Sequence, residues 1–245
     1  MKFEEIIKHI LFPFFPALQN KIRKDLKSII KERGQNQDII DIGGRKSPYT
    51  IGLSSKVTII DKPPNNDVQR SLNLGIDSQV ERDLRKNRSN IKDILYYDIT
   101  EKLKLKVQFD IVIAIEVIEH IKDIQSALRN MLRLLKPGGV LYMTTPNGDY
   151  IKNEPPNYNP DHFKHYKRTE MIKILTPHFS DLEVKYGIQM GKHWINSGRS
   201  WSLKHPLSLI NTFYSSIKNQ VESKNKENVP NRTAHLFIKA KKPII

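Results

Sequence analysis

The run Phe109-Asp-Ile-Val-Ile-Ala-Ile115 constrains this chain more than any other stretch, because it ends abruptly in Glu116-Val-Ile-Glu119-His120-Ile121. An apolar run so rich in β-branched side chains can bury both of its faces, as a central strand of a parallel sheet must. In open α/β sheets, ligands bind just beyond the carboxyl ends of such strands. Two carboxylates and an imidazole at that point are therefore candidates for chemistry.

Other segments supply the rest of a sheet. Residues Gln37 to Ile42 read as a strand ending in Asp41-Ile-Gly43-Gly44, and Lys56 to Asp61 as a second ending in an acid. Leu95 to Ile99, which contains Asp98, reads as a third, the opening run as the fourth, and Val140 to Thr144 as the fifth. Between the last two, Asp123 to Leu135 has helical periodicity through Ile124, Leu128, Met131, Leu132 and Leu135, and stops at Lys136-Pro-Gly-Gly139. A helix over Arg168 to Leu175 and strands near Leu182 to Tyr186 and Ala234 to Ala240 follow. This alternation predicts an α/β fold: a Rossmann-like, doubly wound, mostly parallel seven-stranded sheet.

Two additions flank that sheet. Residues 1–34 read as an N-terminal helical strap, with Ile22, Leu26, Ile29 and Ile30 at helical spacing and a break at Phe12-Pro-Phe-Phe-Pro16. That aromatic cluster is expected to pack on the core, with a lid over a substrate pocket or a shallow membrane contact as the alternatives. The remaining domain, 35–245, carries a substrate-cap insertion at 190–232 near its C-terminal end. There Leu207, Ile210, Phe213, Tyr214 and Ile217 read as one packed helical face, while Trp194 and Trp201 are left open between packing and stacking on a substrate.

The chain has no cysteine, which excludes disulfides, thiolate metal sites and cysteine nucleophiles together. No stretch approaches the roughly 18 apolar residues of a membrane span, and the N-terminus lacks the order of a signal peptide, so a cytoplasmic protein is expected. With 41 Lys and Arg against 26 Asp and Glu, the net charge of +15 attracts anions such as nucleotides, nucleic acid and acidic headgroups. The positive charge is spread over several segments, which suits solvated helix faces.

A strand ending in Asp-x-Gly-Gly lets backbone approach a ligand closely. Asp61 lies 20 residues beyond Asp41, the distance at which an acid bonds ribose hydroxyls in nucleotide-binding folds. A dinucleotide dehydrogenase would want G-x-G-x-x-G, which Arg45-Lys46-Ser47-Pro48 does not supply. With Asp98-Ile99, the Glu116-Val-Ile-Glu119-His120 segment and Leu135-Lys-Pro-Gly-Gly139, the chain resembles the class I S-adenosylmethionine-dependent methyltransferases over about residues 35–185 and the last strand. The resemblance implies S-adenosylmethionine as cofactor. It sets Asp41, Gly43 and Gly44 toward the methionine part, Asp61 at the ribose, Asp98 and Ile99 at the adenine, and Glu116 near the sulfonium. Arg45 and Pro48 depart from the small residues many relatives keep.

If the chain turned helical after Ile115, Glu116, Glu119 and His120 would share one face at i, i+3 and i+4. Two carboxylates and an imidazole suit Mg²⁺ or Mn²⁺. The pattern is similar to the metal-binding Glu-x-x-Glu-His of ubiquinone-pathway O-methyltransferases and of small-RNA 3′-terminal 2′-O-methyltransferases. The latter add a later histidine, and His162 falls in a comparable position. Without a metal, His120 or His162 is the general-base candidate and His165 the third choice. The expected reaction is methyl transfer to an oxygen, or secondarily a nitrogen, of a small molecule such as a natural product, quinone-like phenol or sugar. The alternatives are an RNA 3′-terminal 2′-O-methyltransferase and a non-catalytic S-adenosylmethionine-binding protein.

Overall fold

A computed structural model of the chain describes residues 2–64, 75–155, 158–198 and 206–244. Its strands are β1 (Asp38–Ile42), β2 (Lys56–Asp61), β3 (Ile91–Tyr96), β4 (Phe109–Ile115), β5 (Leu135–Pro146), β6 (Ser180–Gln189) and β7 (Thr233–Lys241). They form one sheet in the order β3-β2-β1-β4-β5-β7-β6. Strands β1 to β5 pair in parallel, and β7 runs antiparallel to both of its neighbours.

The helices are α1 (Phe3–Leu11), α2 (Ala17–Arg33), α3 (Ser78–Asn87), α4 (Ile124–Leu134), α5 (Arg168–Leu175), α6 (Lys192–Ser197) and α7 (Pro206–Glu222). None of them is long and apolar enough to cross a membrane.

Successive strand residues point to opposite faces, so the apolar runs build two cores at once. Ile40, Ile60, Val112 and Leu141 join α4 residues Leu128 and Met131 on one side. Their neighbours Ile39, Ile59, Ile111 and Ile113 meet α2 residues Ile22, Leu26 and Ile29 on the other. In β4, Ile111, Val112, Ile113 and Ala114 are each fully buried, as a central strand requires.

Two strand expectations shift. The third strand begins at Ile91 rather than Leu95, because Ile91 already pairs with Val57. As an edge strand, β3 exposes Lys92 and Asp93 and so lacks a continuous apolar run. The Lys136-Pro-Gly-Gly139 segment belongs to β5 itself. It absorbs a register shift between the Phe109–Leu135 and Ile111–Val140 pairs, so helix α4 passes straight into the strand.

Helix α2 lies on the second core with Leu26 fully buried. Leu26→Ala should lower the unfolding free energy by about 2–5 kcal/mol, through lost burial and a residual cavity. Urea denaturation would show it, and a change below about 1 kcal/mol would mean that the helix contributes little to the core.

The packed face expected on α7 is overturned. Leu207, Ile210, Tyr214 and Ile217 are 81%, 64%, 52% and 45% exposed, while Thr212, Ser215, Ser216 and Asn219 are buried. Asn219 Nδ2 donates to the Gln189 carbonyl (2.7 Å), and the Ser223 hydroxyl accepts from the Gln189 amide (2.9 Å). Those bonds hold the polar side of the helix against the end of β6. Of the five predicted residues, Phe213 turns partly inward and stacks on Phe14 with ring centroids 4.8 Å apart. In the same aromatic cluster, Phe12 is buried and stacks on Phe15 at 4.8 Å. Trp194 is half-buried and packs against the second core, whereas Trp201 lies outside the described residues.

Candidate active site

Strand β1 pairs with both β2 and β4, so the carboxyl ends of these three strands meet at the point where strand order reverses. At the end of β1, Gly43 takes φ +71° and donates its amide to the Ile60 carbonyl at 2.8 Å. A Cβ on Gly44 would lie 2.4 Å from Asp41 Cγ, so only glycine fits there.

Asp41 itself is fully buried, and among the described residues neither of its carboxylate oxygens has a hydrogen-bond partner. Burial raises its pKa from 3.8 to about 7, against the opposing pull of the nearby Ser47 hydroxyl and Arg88 guanidinium. A buried, unsatisfied carboxyl is costly, and such a group points to a missing cationic or donor partner.

Arg45 sits in a 3₁₀ turn, and its guanidinium reaches Asp61 at 3.5 Å and the Gly75 carbonyl at 3.4 Å. Burial raises the Asp61 pKa, with Arg45 opposing. Asp98, in the loop after β3, accepts from the Thr100 amide (2.8 Å) and hydroxyl (2.7 Å), and Ile99 beside it is buried.

The helical face proposed for Glu116, Glu119 and His120 is not formed. Glu116 takes φ +52° and donates its amide to the Thr144 carbonyl at 3.0 Å, continuing the sheet for one more residue. Only a 3₁₀ turn over Ile118–His120 follows. Glu116 Oε1 accepts from the Thr144 hydroxyl (2.8 Å) and from His235 Nδ1 (3.1 Å). Burial pushes this carboxyl up, but His235, Thr144 and His162 more than offset it, leaving the pKa below the usual value.

Glu119 turns the other way and is buried. Its Oε2 accepts from the Thr145 hydroxyl at 3.1 Å, and among the described residues Oε1 has no partner. Burial, then the neighbouring Glu116 charge, raises its pKa well above the ordinary value. The Glu119 carbonyl accepts the Phe163 amide (2.8 Å), which draws the loop after β5 over the turn. Within that loop, Asn153 Nδ2 donates to the Asn159 (3.1 Å) and His162 (2.8 Å) carbonyls.

That loop sets His162 edge-on to His120, with ring centroids 4.6 Å apart. One ligand atom from each of Glu119, His120 and His162 lies within 4.8 Å of the others. His120 Nδ1 is 2.9 Å from the Asp161 carbonyl, and His165 Nδ1 is 3.0 Å from that of Ile151. A carbonyl only accepts, so both Nδ1 atoms carry the hydrogen. In the neutral rings, His165 Nε2 then accepts from His162 Nδ1 at 2.7 Å. His120 and His162 are thereby left with Nε2 lone pairs. Burial, then the neighbouring His120 and His165, holds the His162 pKa down. Two imidazole nitrogens, a carboxylate with an unpartnered oxygen and a fixed outer histidine match the donor set of a divalent cation.

His235 was passed over in the sequence, where it is one histidine in an apolar strand with nothing local to mark it. Thr144 and Thr145, which hold the two glutamates apart, were also unflagged.

A family model for a methyltransferase domain matches residues 15–229. A ubiquinone biosynthesis O-methyltransferase of Rickettsia akari is 29% identical over 109 residues, 40% of this chain and 43% of that protein. The chain thus spans less than half the length of this curated relative. Among solved structures, a possible histamine N-methyltransferase of Thermotoga maritima aligns with TM-score 0.59 and 15% identity, over 98% of this chain and 95% of that one. The N-methyltransferase NodS of Bradyrhizobium japonicum, solved with S-adenosyl-L-homocysteine, aligns with TM-score 0.53 and 16% identity, over 94% and 89%. At such identities these two likenesses bear on the fold alone.

Proposed function

Because the chain belongs to the methyltransferase-domain family, whose cofactor is S-adenosylmethionine, we propose that it moves the methyl group of that cofactor to an oxygen of a small molecule. The observation that carries the oxygen acceptor is the convergence of Glu119, His120 and His162, with a buried Glu119 oxygen that has no partner among the described residues. A hydroxyl attacks far better once it has shed its proton, and a metal-ligating cluster serves that need.

The cofactor fits the residues beyond β1, β2 and β4. The Asp41 carboxylate, without a hydrogen-bond partner among the described residues, suits the methionine ammonium, and the close approach at Gly44 leaves backbone bare beside it. Asp61 would accept from the ribose hydroxyls, and Asp98 with Ile99 would border the adenine. Glu116, kept ionised by His235 and Thr144, sets negative charge near the sulfonium. The bound cofactor supplies an electrophilic methyl group. Glu119, His120 and His162 would hold a Mg²⁺ or Mn²⁺ ion that lowers the acceptor's pKa and orients it. His165 fixes the His162 ring through their 2.7 Å contact. In the transfer, the acceptor oxygen bonds to the methyl carbon and the carbon–sulfur pair stays with sulfur. The hydroxyl proton leaves to solvent.

Incubating cell extract with the chain and isotopically labelled S-adenosylmethionine, followed by mass spectrometry, tests this reading. The expected product carries a labelled O-methyl group. A labelled N-methyl product, or no calorimetric binding of S-adenosylhomocysteine, would overturn it.

A further inference from the structure

Helix α7 is built inside out. Leu207, Ile210, Tyr214, Ile217 and Val221 recur every three or four residues and are all exposed. The opposite side, with Thr212, Ser215, Ser216 and Asn219, is buried against the protein. A surface helix in water normally does the reverse, and contiguous exposed apolar surface marks an interaction site. On the neighbouring α6, Ile195 is also exposed, at 60%. His193 ties the two helices together, contacting Glu222 at 2.8 Å and the Tyr214 ring at 5.9 Å between centroids.

We propose that this face docks on a membrane surface containing anionic lipid. The charge around the stripe argues for that occupant. Glu222, which contacts His193, is the single acid of α7, while Lys192, Lys218 and Lys224 are exposed on or beside the stripe. Apolar residues flanked by lysines suit the boundary between acyl chains and acidic headgroups, where each nearby lysine contributes about 1 kcal/mol. The spacing would also suit a helix–helix seam, but two copies of a chain at +15 repel each other.

The position of the stripe is consistent with a role at the site. Strand β6 is antiparallel to β7, which is antiparallel to β5, so Gln189 ends on the same sheet edge as Ile42 and Ile115. Helix α6 leaves from that edge, the C-terminal end of α7 rests on it through Asn219 and Ser223, and the chain returns to it through Thr233 and His235, the partner of Glu116.

Co-sedimentation of the full chain with vesicles of phosphatidylcholine, with and without phosphatidylglycerol, tests the proposal. The chain should bind the mixed vesicles and release them at high salt. Replacing Ile210→Ser together with Ile217→Ser should weaken that binding roughly tenfold or more. Both positions are exposed, so the double variant should keep the wild-type melting temperature and affinity for S-adenosylhomocysteine. Lys218→Glu, which removes no apolar surface, should weaken binding to the mixed vesicles alone. Absence of vesicle binding by the wild-type chain, or equal binding by both variants, would overturn the proposal. So would a wild-type dimer, seen by analytical ultracentrifugation, that the double variant breaks. A chain that binds vesicles but not S-adenosylhomocysteine would sink the methyl-transfer reading and leave this surface standing.

Discussion

Exhaustive chelation should reduce methyl transfer to oxygen by roughly a hundredfold to a thousandfold, about 3–4 kcal/mol in the barrier, and Mg²⁺ or Mn²⁺ should restore it. The expectation rests on two features of the cluster. Glu119 is buried with an oxygen that has no partner among the described residues, a costly arrangement unless something of opposite charge completes it. The histidine rings are also held by outer contacts that leave Nε2 free on His120 and His162, the outer-shell order found around bound metals. His162→Ala should reproduce the loss without rescue by added metal. It should leave the affinity for S-adenosylhomocysteine intact, because Asp41 and Asp61 are carried by other strands. Full activity after chelation would remove the cation from the mechanism and return His120 and His162 to the role of general-base candidates.

The second large effect concerns Asp41. Between about pH 4 and pH 7, the folded chain holds a proton on Asp41 that the unfolded chain has released, so stability falls across this window as pH rises. A carboxyl raised from 3.8 to about 7 disfavours folding by roughly 4 kcal/mol at about pH 8. Asp41→Asn removes that penalty and leaves a buried neutral amide, itself costing about 1–3 kcal/mol when unpartnered. That amide cost does not vary with pH, so on moving from about pH 5 to about pH 8 the variant should gain roughly 2–3 kcal/mol over the parent. Affinity for S-adenosylmethionine should meanwhile fall by roughly tenfold to a hundredfold, as the ammonium loses a charged acceptor. Urea denaturation at the two pH values and calorimetry check the two halves. Equal pH dependence of variant and parent would mean that Asp41 is not held protonated in the fold.

Part of this architecture was legible because its signals are local. Strands β1, β2 and β4 announce themselves as short apolar runs closed by Asp41, Asp61 and Glu116, and helix α5 spans the predicted Arg168 to Leu175. The expected helix after Ile115 failed because the Glu116 amide bonds to Thr144 on the neighbouring strand, which outweighs local helical spacing. The periodicity of α7 was read correctly as a face, but a periodic pattern carries no sign. It cannot say whether the apolar side meets the protein or leaves it. Bonds to Gln189 decided that.

Most of the sheet, the row of acids and glycines at its strand ends, and the family were readable from residue order alone. These follow from the order of side chains within single segments, where spacing and burial tendency act over a few residues. The folded arrangement pairs Glu116 with His235, 119 residues away, and brings Glu119 together with His120 and His162. It also decided that α7 turns its apolar side out. Each of these outcomes is a contact between distant segments, set by strand register and loop closure rather than by any local preference.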